Sequence, residues 1–91
     1  MNRAEILAEA DLLTHGDRNE THGDPRVNHN RIARIWSVLL GFTVTPSQVA
    51  LCMVGVKLSR LVESPDHVDS FVDGAAYMAI AGELSLRGND K

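Results

Sequence analysis

Apolar residues recur at helical spacing in four segments of the chain, and each segment is bounded by residues that begin or end helices. In the second segment, Ile32, Ile35 and Leu39 stand at positions i, i+3 and i+7, which is the spacing of one helix face. β-structure has little support, because the only β-prone run, 42–44, is short and has no second run to pair with. The pattern therefore predicts a single all-α, four-helix domain. The predicted helices cover about residues 3–15, 28–40, 46–63 and 65–86.

Capping residues support these boundaries. Thr45 and Pro46 form a strong helix start, since threonine caps the first turn and proline is tolerated at the first helical position. Ser64 and Pro65 repeat this pattern, so the last two helices are predicted to form an antiparallel hairpin with a very short connection. Residues 16–27 are rich in Gly, Asp and Asn, which predicts a polar loop between the first two helices.

Composition narrows the classes of function. The formal net charge is −3 and the pI is about 5.7, which disfavours general nucleic-acid binding. No apolar run approaches the roughly 20 residues of a membrane span, and the acidic N-terminus does not resemble a signal peptide. Cys52 is the only cysteine and falls in an apolar run, so we expect a buried thiol. These features predict a cytoplasmic protein, and its small core predicts a homo-oligomer.

A group of polar residues on the last two helices, here called the polar strip, is the main candidate site. Asp69, Asp73 and Tyr77 follow one another at four-residue spacing and share one face of the fourth helix. On the third helix, Lys57 and Arg60 are three residues apart. In an antiparallel hairpin, Lys57 then faces Asp73 and Arg60 faces Asp69. Two such pairs could simply fix the register of the hairpin, or they could form a ligand site, where charged groups with perturbed environments concentrate.

The predicted loop contains the sequence Thr-His-Gly-Asp twice, at 14–17 and 21–24. Histidine and aspartate can bind metals, but the seven-residue interval does not match the usual spacing of zinc ligands. Two other interpretations remain open. Asp17, Asn19 and Asp24 could cap and turn the backbone. Alternatively, Arg18 and Arg26, with glycine amides alongside, could bind a phosphate.

The order of these motifs resembles a group of small proteins encoded by bacteriophages and prophages. The resemblance covers nearly the whole chain and rests on the combination of the motifs. The matching residues are Gly16-Asp17-Arg18, Gly23-Asp24-Pro25, Ile32-Ala33, Trp36, Leu40-Gly41, Thr45-Pro46, Val49-Ala50, Lys57, Arg60, Asp69-Ser70, Asp73-Gly74 and Tyr77. It implies a phage protein acting in the cytoplasm of a bacterial host cell.

This group is distantly similar to MazG-like all-α nucleotide pyrophosphohydrolases, which hold Mg²⁺ with carboxylate pairs on two helices. The resemblance would make Asp69 and Asp73 the metal ligands, with Glu63 or Asp66 contributing. In this chain the facing helix carries Lys57 and Arg60 instead of carboxylates. A cation there would bind phosphate directly and repel a metal, which favours binding without cleavage and no cofactor.

Three functions therefore stay open. The first is a binder of a nucleotide or cyclic nucleotide that sequesters a nucleotide signal of host defence, as small phage-encoded helical oligomers can do. Its ligand-binding residues would be Lys57, Arg60, Asp69, Asp73, Tyr77, Arg18 and Trp36, with Tyr77 or Trp36 stacking on a base. The second is a MazG-like, Mg²⁺-dependent nucleoside triphosphate pyrophosphohydrolase. The third is a protein-protein interaction module with no small-molecule site.

Overall fold

The computed structural model of the protein describes residues 1–15 and 23–86. Within these two ranges the chain forms four α-helices and no β-strand, which confirms the predicted all-α class. The part of the predicted loop from 16 to 22, including Arg18, lies outside the described residues. The helices are α1 (Arg3–Leu13), α2 (Pro25–Leu40), α3 (Pro46–Glu63) and α4 (Val68–Leu86).

Local capping chemistry fixes two helix starts and one helix end. Asn2 caps α1 in a reciprocal capping box with Glu5, both hydrogen bonds being 2.9 Å long. Thr45 caps α3, and a second box joins it to Gln48. At the end of α2, Gly41 adopts φ 80°, a left-handed conformation that glycine takes without a steric cost.

The start of α2 differs from the prediction, since the helix begins at Pro25 and not at about residue 28. Asp24 is its N-cap, and its carboxylate accepts a hydrogen bond of 2.9 Å from the Arg26 backbone N–H. Proline at the first helical position carries no N–H to leave unsatisfied. The Asp-Pro pair, assigned to the loop from the sequence, therefore acts as a helix start.

The start of α4 also differs, because the helix begins at Val68 and not at Pro65. Ser64 is the C-cap of α3, with its N–H donating to the Arg60 carbonyl at 2.9 Å. The His67 N–H then donates to the Ser64 carbonyl at 3.1 Å, which closes a tight turn with proline at its second position. Proline is as well suited to this turn position as to a helix start, and here the turn is formed.

Helix α4 lies at the centre of the packing. It runs along α3 and also packs against α1, whereas α2 packs mainly against α3. The Ser47 hydroxyl at the start of α3 donates to the Ala81 carbonyl near the end of α4, at 3.1 Å, which confirms that the two helices are antiparallel. Two apolar clusters result, one between α1 and α4 and one between α2 and α3. Their buried members are Ala10, Val72 and Ala76 in the first, and Ala33, Val44 and Val49 in the second.

Many large apolar side chains remain exposed. They include a nearly continuous run at the end of α2, where Val38 is 82% and Leu39 is 75% exposed. On α3, Leu58 and Val62 are exposed as well, and so is Cys52, which corrects the expectation of a buried thiol. An extended run of exposed apolar residues is unusual unless it has a function. No helix in the described ranges is long and apolar enough to cross a membrane.

Candidate functional site

The α3–α4 hairpin brings Lys57 and Asp73 together. The Lys57 Nζ lies 3.2 Å from the Asp73 Oδ2, which confirms the predicted pairing. The two side chains are 20% and 31% exposed, so the ion pair is partly withdrawn from water. It lies about midway along the hairpin, on the side of α4 that also packs against α1.

The second predicted ion pair is not formed. Arg60 and Asp69 are both exposed, and within residues 23–86 no ion pair joins them. Asp69 is in the first turn of α4, which begins only after the Ser64–His67 turn. An exposed pair of charged side chains gains little Coulomb energy in water and loses rotamer entropy. An ion pair between Arg60 and Asp69 would therefore add little stability.

A cavity of about 240 Å³, here called the hairpin cavity, lies beside the Lys57–Asp73 pair. It is bounded by the end of α1, the start of α2, and the middle of the hairpin. Three of the five residues of the polar strip therefore share one cavity wall, while Arg60 and Asp69 are not part of it. The polar side chains in the wall are Thr14, Asn28, His29, Lys57, Asp73 and Tyr77.

Trp36 does not reach this cavity. It packs against the cluster of Ala33, Val44 and Val49 between α2 and α3. The ring of Trp36 is half-buried against this cluster. Of the two aromatic residues proposed to stack on a base, only Tyr77 lies in the cavity wall.

His29 also lines the hairpin cavity, although it is not among the predicted ligand-binding residues. It is 4% exposed, and its Nδ1 lies 2.8 Å from the Pro25 carbonyl oxygen. A carbonyl can only accept, so Nδ1 carries the proton and the Nε2 of the neutral ring is an acceptor. Among the described residues, no hydrogen-bond partner is within reach of this buried Nε2. The ring contacts that of Tyr77 edge-on, with centroids 6.1 Å apart and planes inclined by 61°.

The predicted start of α2 at about residue 28 left out the first helical turn, which positions the His29 ring. With Asp24 as the cap and Pro25 as the first residue of the helix, His29 lies four residues, about one turn, after Pro25. That spacing allows its imidazole to reach the Pro25 carbonyl and places the ring on the helix side that faces α4. The Asp-Pro dipeptide was the signal in the sequence that could have located it.

A larger cavity of about 450 Å³ adjoins the first, and we call it the alanine cavity. Thr14, Pro25, Ala76 and Ile80 line both, so the two are separated only by a shared wall. Its lining is partly apolar and includes alanines of α4 together with Leu7 and Ala10 of α1. These alanines are Ala75, Ala76 and Ala79.

Charged side chains also line the alanine cavity. Arg26 reaches Asp24 with a distance of 3.1 Å between Nη2 and Oδ2. The hydrogen bond and the charge of Asp24 together raise the pKa of Arg26, so this guanidinium stays protonated under all ordinary conditions. Asp11 and Glu83 add two further carboxylates to the wall. The alanine cavity thus offers cationic, anionic and apolar side chains to a ligand.

The carboxylates do not fit the expected magnesium site. Asp69 and Asp73 are one turn apart on α4, but only Asp73 lies in the cavity wall, and its Oδ2 is paired with Lys57. Nowhere in the described ranges do three or more His, Cys, Asp or Glu side chains converge closely enough to hold a metal ion. A Mg²⁺ ion bridged to a diphosphate needs several oxygen ligands, which these residues do not supply together.

Comparison with known proteins places the chain in a family. Residues 5–85 match the family described as "Domain of unknown function (DUF6378)". The chain belongs to this family. It is 33% identical over 87 residues to the Gene 55 protein of Mycobacterium phage L5, covering 94% of this chain and 56% of that protein. It is 40% identical over 72 residues to the Gene 55 protein of Mycobacterium phage D29, covering 79% of this chain and 48% of that protein.

These relatives confirm the expected similarity to phage-encoded proteins, and their descriptions name no activity. The chain spans about half the length of the curated relatives it matches. No solved structure matches it. These comparisons therefore assign no function to the hairpin cavity.

Proposed function

We propose that the hairpin cavity binds a phosphorylated nucleotide, such as a mononucleotide or cyclic nucleotide, without cleaving it. The observation that carries this proposal is the convergence of a cation–carboxylate pair, a tyrosine and a buried histidine acceptor in one cavity wall. Concave sites in which a few polar groups converge are typical of small-molecule binding.

Lys57 would hold the phosphate. Its ammonium group has three N–H donors, and the contact with Asp73 engages one of them. The remaining donors can form charge-assisted hydrogen bonds to a phosphate oxygen without breaking the pair. Asp73 has a second carboxylate oxygen that can accept from a ribose hydroxyl or a base amine. Tyr77 contributes an aromatic ring beside them.

The alanine cavity would hold the base. Alanine side chains of α4 line this cavity and offer apolar contacts to a planar ring. Ligand cavities usually measure about 300–1,000 Å³, a range that includes the alanine cavity at about 450 Å³ and starts just above the hairpin cavity. A nucleotide lying across the shared wall would occupy both.

The charges favour a ligand with few phosphates. Lys57 and Asp73 compensate each other, as do Arg26 and Asp24, and Asp11 and Glu83 make the described wall acidic overall. Every further phosphate would add negative charge beside these carboxylates, and like charges repel. A monophosphate or a cyclic phosphodiester is therefore expected to bind better than a triphosphate.

The phage-encoded relatives supply the biological setting for the proposal. A non-cleaving nucleotide binder in an infected bacterium would sequester a nucleotide signal made by host defence, and it would do so in the host cytoplasm. Expression of the protein in bacteria carrying a nucleotide-signalling defence system tests this role. Protection of an infecting phage is expected, and a variant with the hairpin cavity disabled should give none.

A ligand screen tests the binding itself. The melting temperature of the protein is measured with nucleosides and with mono-, di-, tri- and cyclic nucleotides, since a ligand that binds only the folded state raises it. We expect a rise with at least one mononucleotide or cyclic nucleotide, and a smaller rise with the corresponding triphosphate. No shift with any member of the panel, at millimolar concentration, would exclude the proposal.

The MazG-like pyrophosphohydrolase is the alternative, and the unsuitable carboxylate set makes it the weaker one. Incubation with nucleoside triphosphates and Mg²⁺, followed by a pyrophosphate assay, decides between the two. Released pyrophosphate that disappears in Asp73→Asn would establish the enzyme.

Exposed apolar surface favours the other alternative, an interaction module, and also the predicted self-association. Val38, Leu39 and Phe42 are between 60% and 82% exposed at the end of α2 and just after it. Light scattering after size-exclusion chromatography measures the oligomeric state. A dimer or larger assembly that dissociates in Val38→Asp would assign this surface to a contact between copies, and a monomer at all concentrations would leave it for another protein.

A further inference from the structure

The Nε2 of His29 is a buried hydrogen-bond acceptor for which the described part of the chain provides no donor. Burying such an atom without a partner is unfavourable, and native proteins leave few of them. The rest of the side chain is fully used, since Nδ1–H donates to the Pro25 carbonyl and the ring packs edge-on against Tyr77. A leucine could fill a similar volume without the orphaned nitrogen.

The surrounding polar groups do not satisfy this acceptor. Lys57 directs its ammonium to Asp73 at 3.2 Å. The ring of Tyr77 contacts the imidazole edge-on, and no hydrogen bond joins the two side chains in the described structure. The Pro25 carbonyl is itself an acceptor and already engages the other ring nitrogen. His29 is itself one of the residues that line the hairpin cavity, so a ligand bound there lies next to this ring.

We infer that His29 accepts a hydrogen bond from an N–H or O–H group of the ligand and so makes the hairpin cavity selective for ligands that present a donor there. This inference rests on the proposed function, because the ligand is the nucleotide that the cavity binds. The donor is either an amino or imino group of the base or a hydroxyl of the ribose. A phosphate oxygen, which only accepts when ionised, cannot fill this role, so His29 and Lys57 recognise different parts of the ligand.

Selectivity for a ligand with a hydrogen-bond donor is strong when the acceptor that binds the donor is buried. A ligand lacking the donor leaves Nε2 as unsatisfied as it is in the free protein, whereas the matching ligand relieves that cost. Removing the donor is therefore expected to weaken binding by roughly tenfold or more. The effect should vanish in a protein that lacks the acceptor.

The test titrates the wild-type protein and His29→Leu with a nucleotide found in the ligand screen and with analogues that lack one donor each. One arm uses a base with a dimethylated amino group, and the other arm uses 2′-deoxy and 3′-deoxy sugars. We expect one arm to lose at least tenfold in affinity for the wild type, which identifies the donor. For His29→Leu, the parent ligand and that analogue should bind equally weakly.

Nitrogen-15 NMR of the histidine rings gives a second readout that needs no variant. The Nε2 resonance of His29 should move upfield when the ligand binds, as for an acceptor nitrogen that gains a hydrogen bond. His67, which bonds to Ser70 at the α3–α4 connection and lies outside the cavity wall, serves as the internal control. Its ring signals should not change.

The outcomes separate the inference from the proposed function. Tight binding with no upfield shift of the His29 Nε2, and equal affinity for every analogue, would overturn the inference and leave nucleotide binding intact. Absence of binding by every nucleotide would overturn the proposed function and the inference with it. Equal loss of affinity for all ligands in His29→Leu, with the wild type indifferent to the analogues, would show that His29 only supports the cavity wall.

Discussion

Lys57 and Asp73 face each other across the α3–α4 hairpin with 3.2 Å between Nζ and Oδ2. One helical turn closer to the connection, Arg60 and Asp69 have the same chemistry and similar spacing but stay exposed and form no ion pair with each other within residues 23–86. The two sets of residues thus provide an internal comparison. Only the pair that lines a cavity has its charges partly withdrawn from water.

Lys57→Met and Arg60→Met are a matched pair of variants for ligand binding. Lys57 lines the hairpin cavity and would donate to the phosphate, so its loss should weaken nucleotide binding by at least tenfold. Arg60 is exposed and lies outside the cavity wall, so its variant should bind like the wild type. Calorimetric titration measures both. Equal losses in the two variants would mean that general positive charge, and not the cavity, attracts the ligand.

Double-mutant cycles on unfolding free energy separate the two pairs in the same way. Because the Lys57–Asp73 pair is partly buried, we expect a coupling energy of about 1 kcal/mol between Lys57→Met and Asp73→Asn. For Arg60→Met and Asp69→Asn the coupling should be close to zero, as for exposed charges. Chemical denaturation provides the free energies. A coupling of similar size in both cycles would show that both pairs serve equally to fix the register of the hairpin.

His29→Leu should leave the free protein at least as stable as the wild type. The substitution removes a buried acceptor that has no partner in the described structure, and burying such an atom costs about 1–3 kcal/mol. It also removes the hydrogen bond to the Pro25 carbonyl, which contributes about 1 kcal/mol. Thermal unfolding without ligand measures the balance. A loss of several kcal/mol would mean that His29 is mainly a structural residue.

Gly74→Ala tests whether the hairpin needs glycine for a close approach. An added Cβ would lie 3.8 Å from the Lys57 Cβ, an ordinary van der Waals contact, so alanine should raise the unfolding free energy by about 0.5–1 kcal/mol. Gly41→Ala is the control, because φ 80° there disfavours any side chain. That variant should be destabilised by about 1 kcal/mol. Destabilisation by Gly74→Ala would mean that the helices cannot accommodate a methyl group at this position.

Local chemistry in the sequence was sufficient for much of the fold. Capping boxes at Asn2 and Thr45 and the glycine stop at Gly41 involve residues within a few positions of one another, so their structure follows from short-range rules. The antiparallel hairpin followed from its short connection, and with it the pairing of Lys57 with Asp73. The structure of the connection itself was harder to predict, because Ser64-Pro65 suits both a helix start and a tight turn.

The features that depend on packing between distant elements were not predictable. The Nε2 of His29 is buried without a partner among the described residues, on a ring that contacts Tyr77 of α4. Trp36 lies in a core cluster, although its residue type suits base stacking equally well. Conversely, Arg60 and Asp69 have the spacing of a pair, but their exposure removes the energetic reason to form one. Spacing predicts which residues can meet, and burial decides which of them do.

The most direct test of the account is a calorimetric titration of the wild-type protein with the mononucleotides and cyclic nucleotides, in the presence of Mg²⁺, with chromatography of the ligand afterwards. The account predicts saturable binding of at least one of them, with the ligand recovered intact after prolonged incubation. Binding should be lost in Lys57→Met and kept in Arg60→Met. A wild-type protein that binds none of these nucleotides, or that returns the ligand hydrolysed, would contradict it.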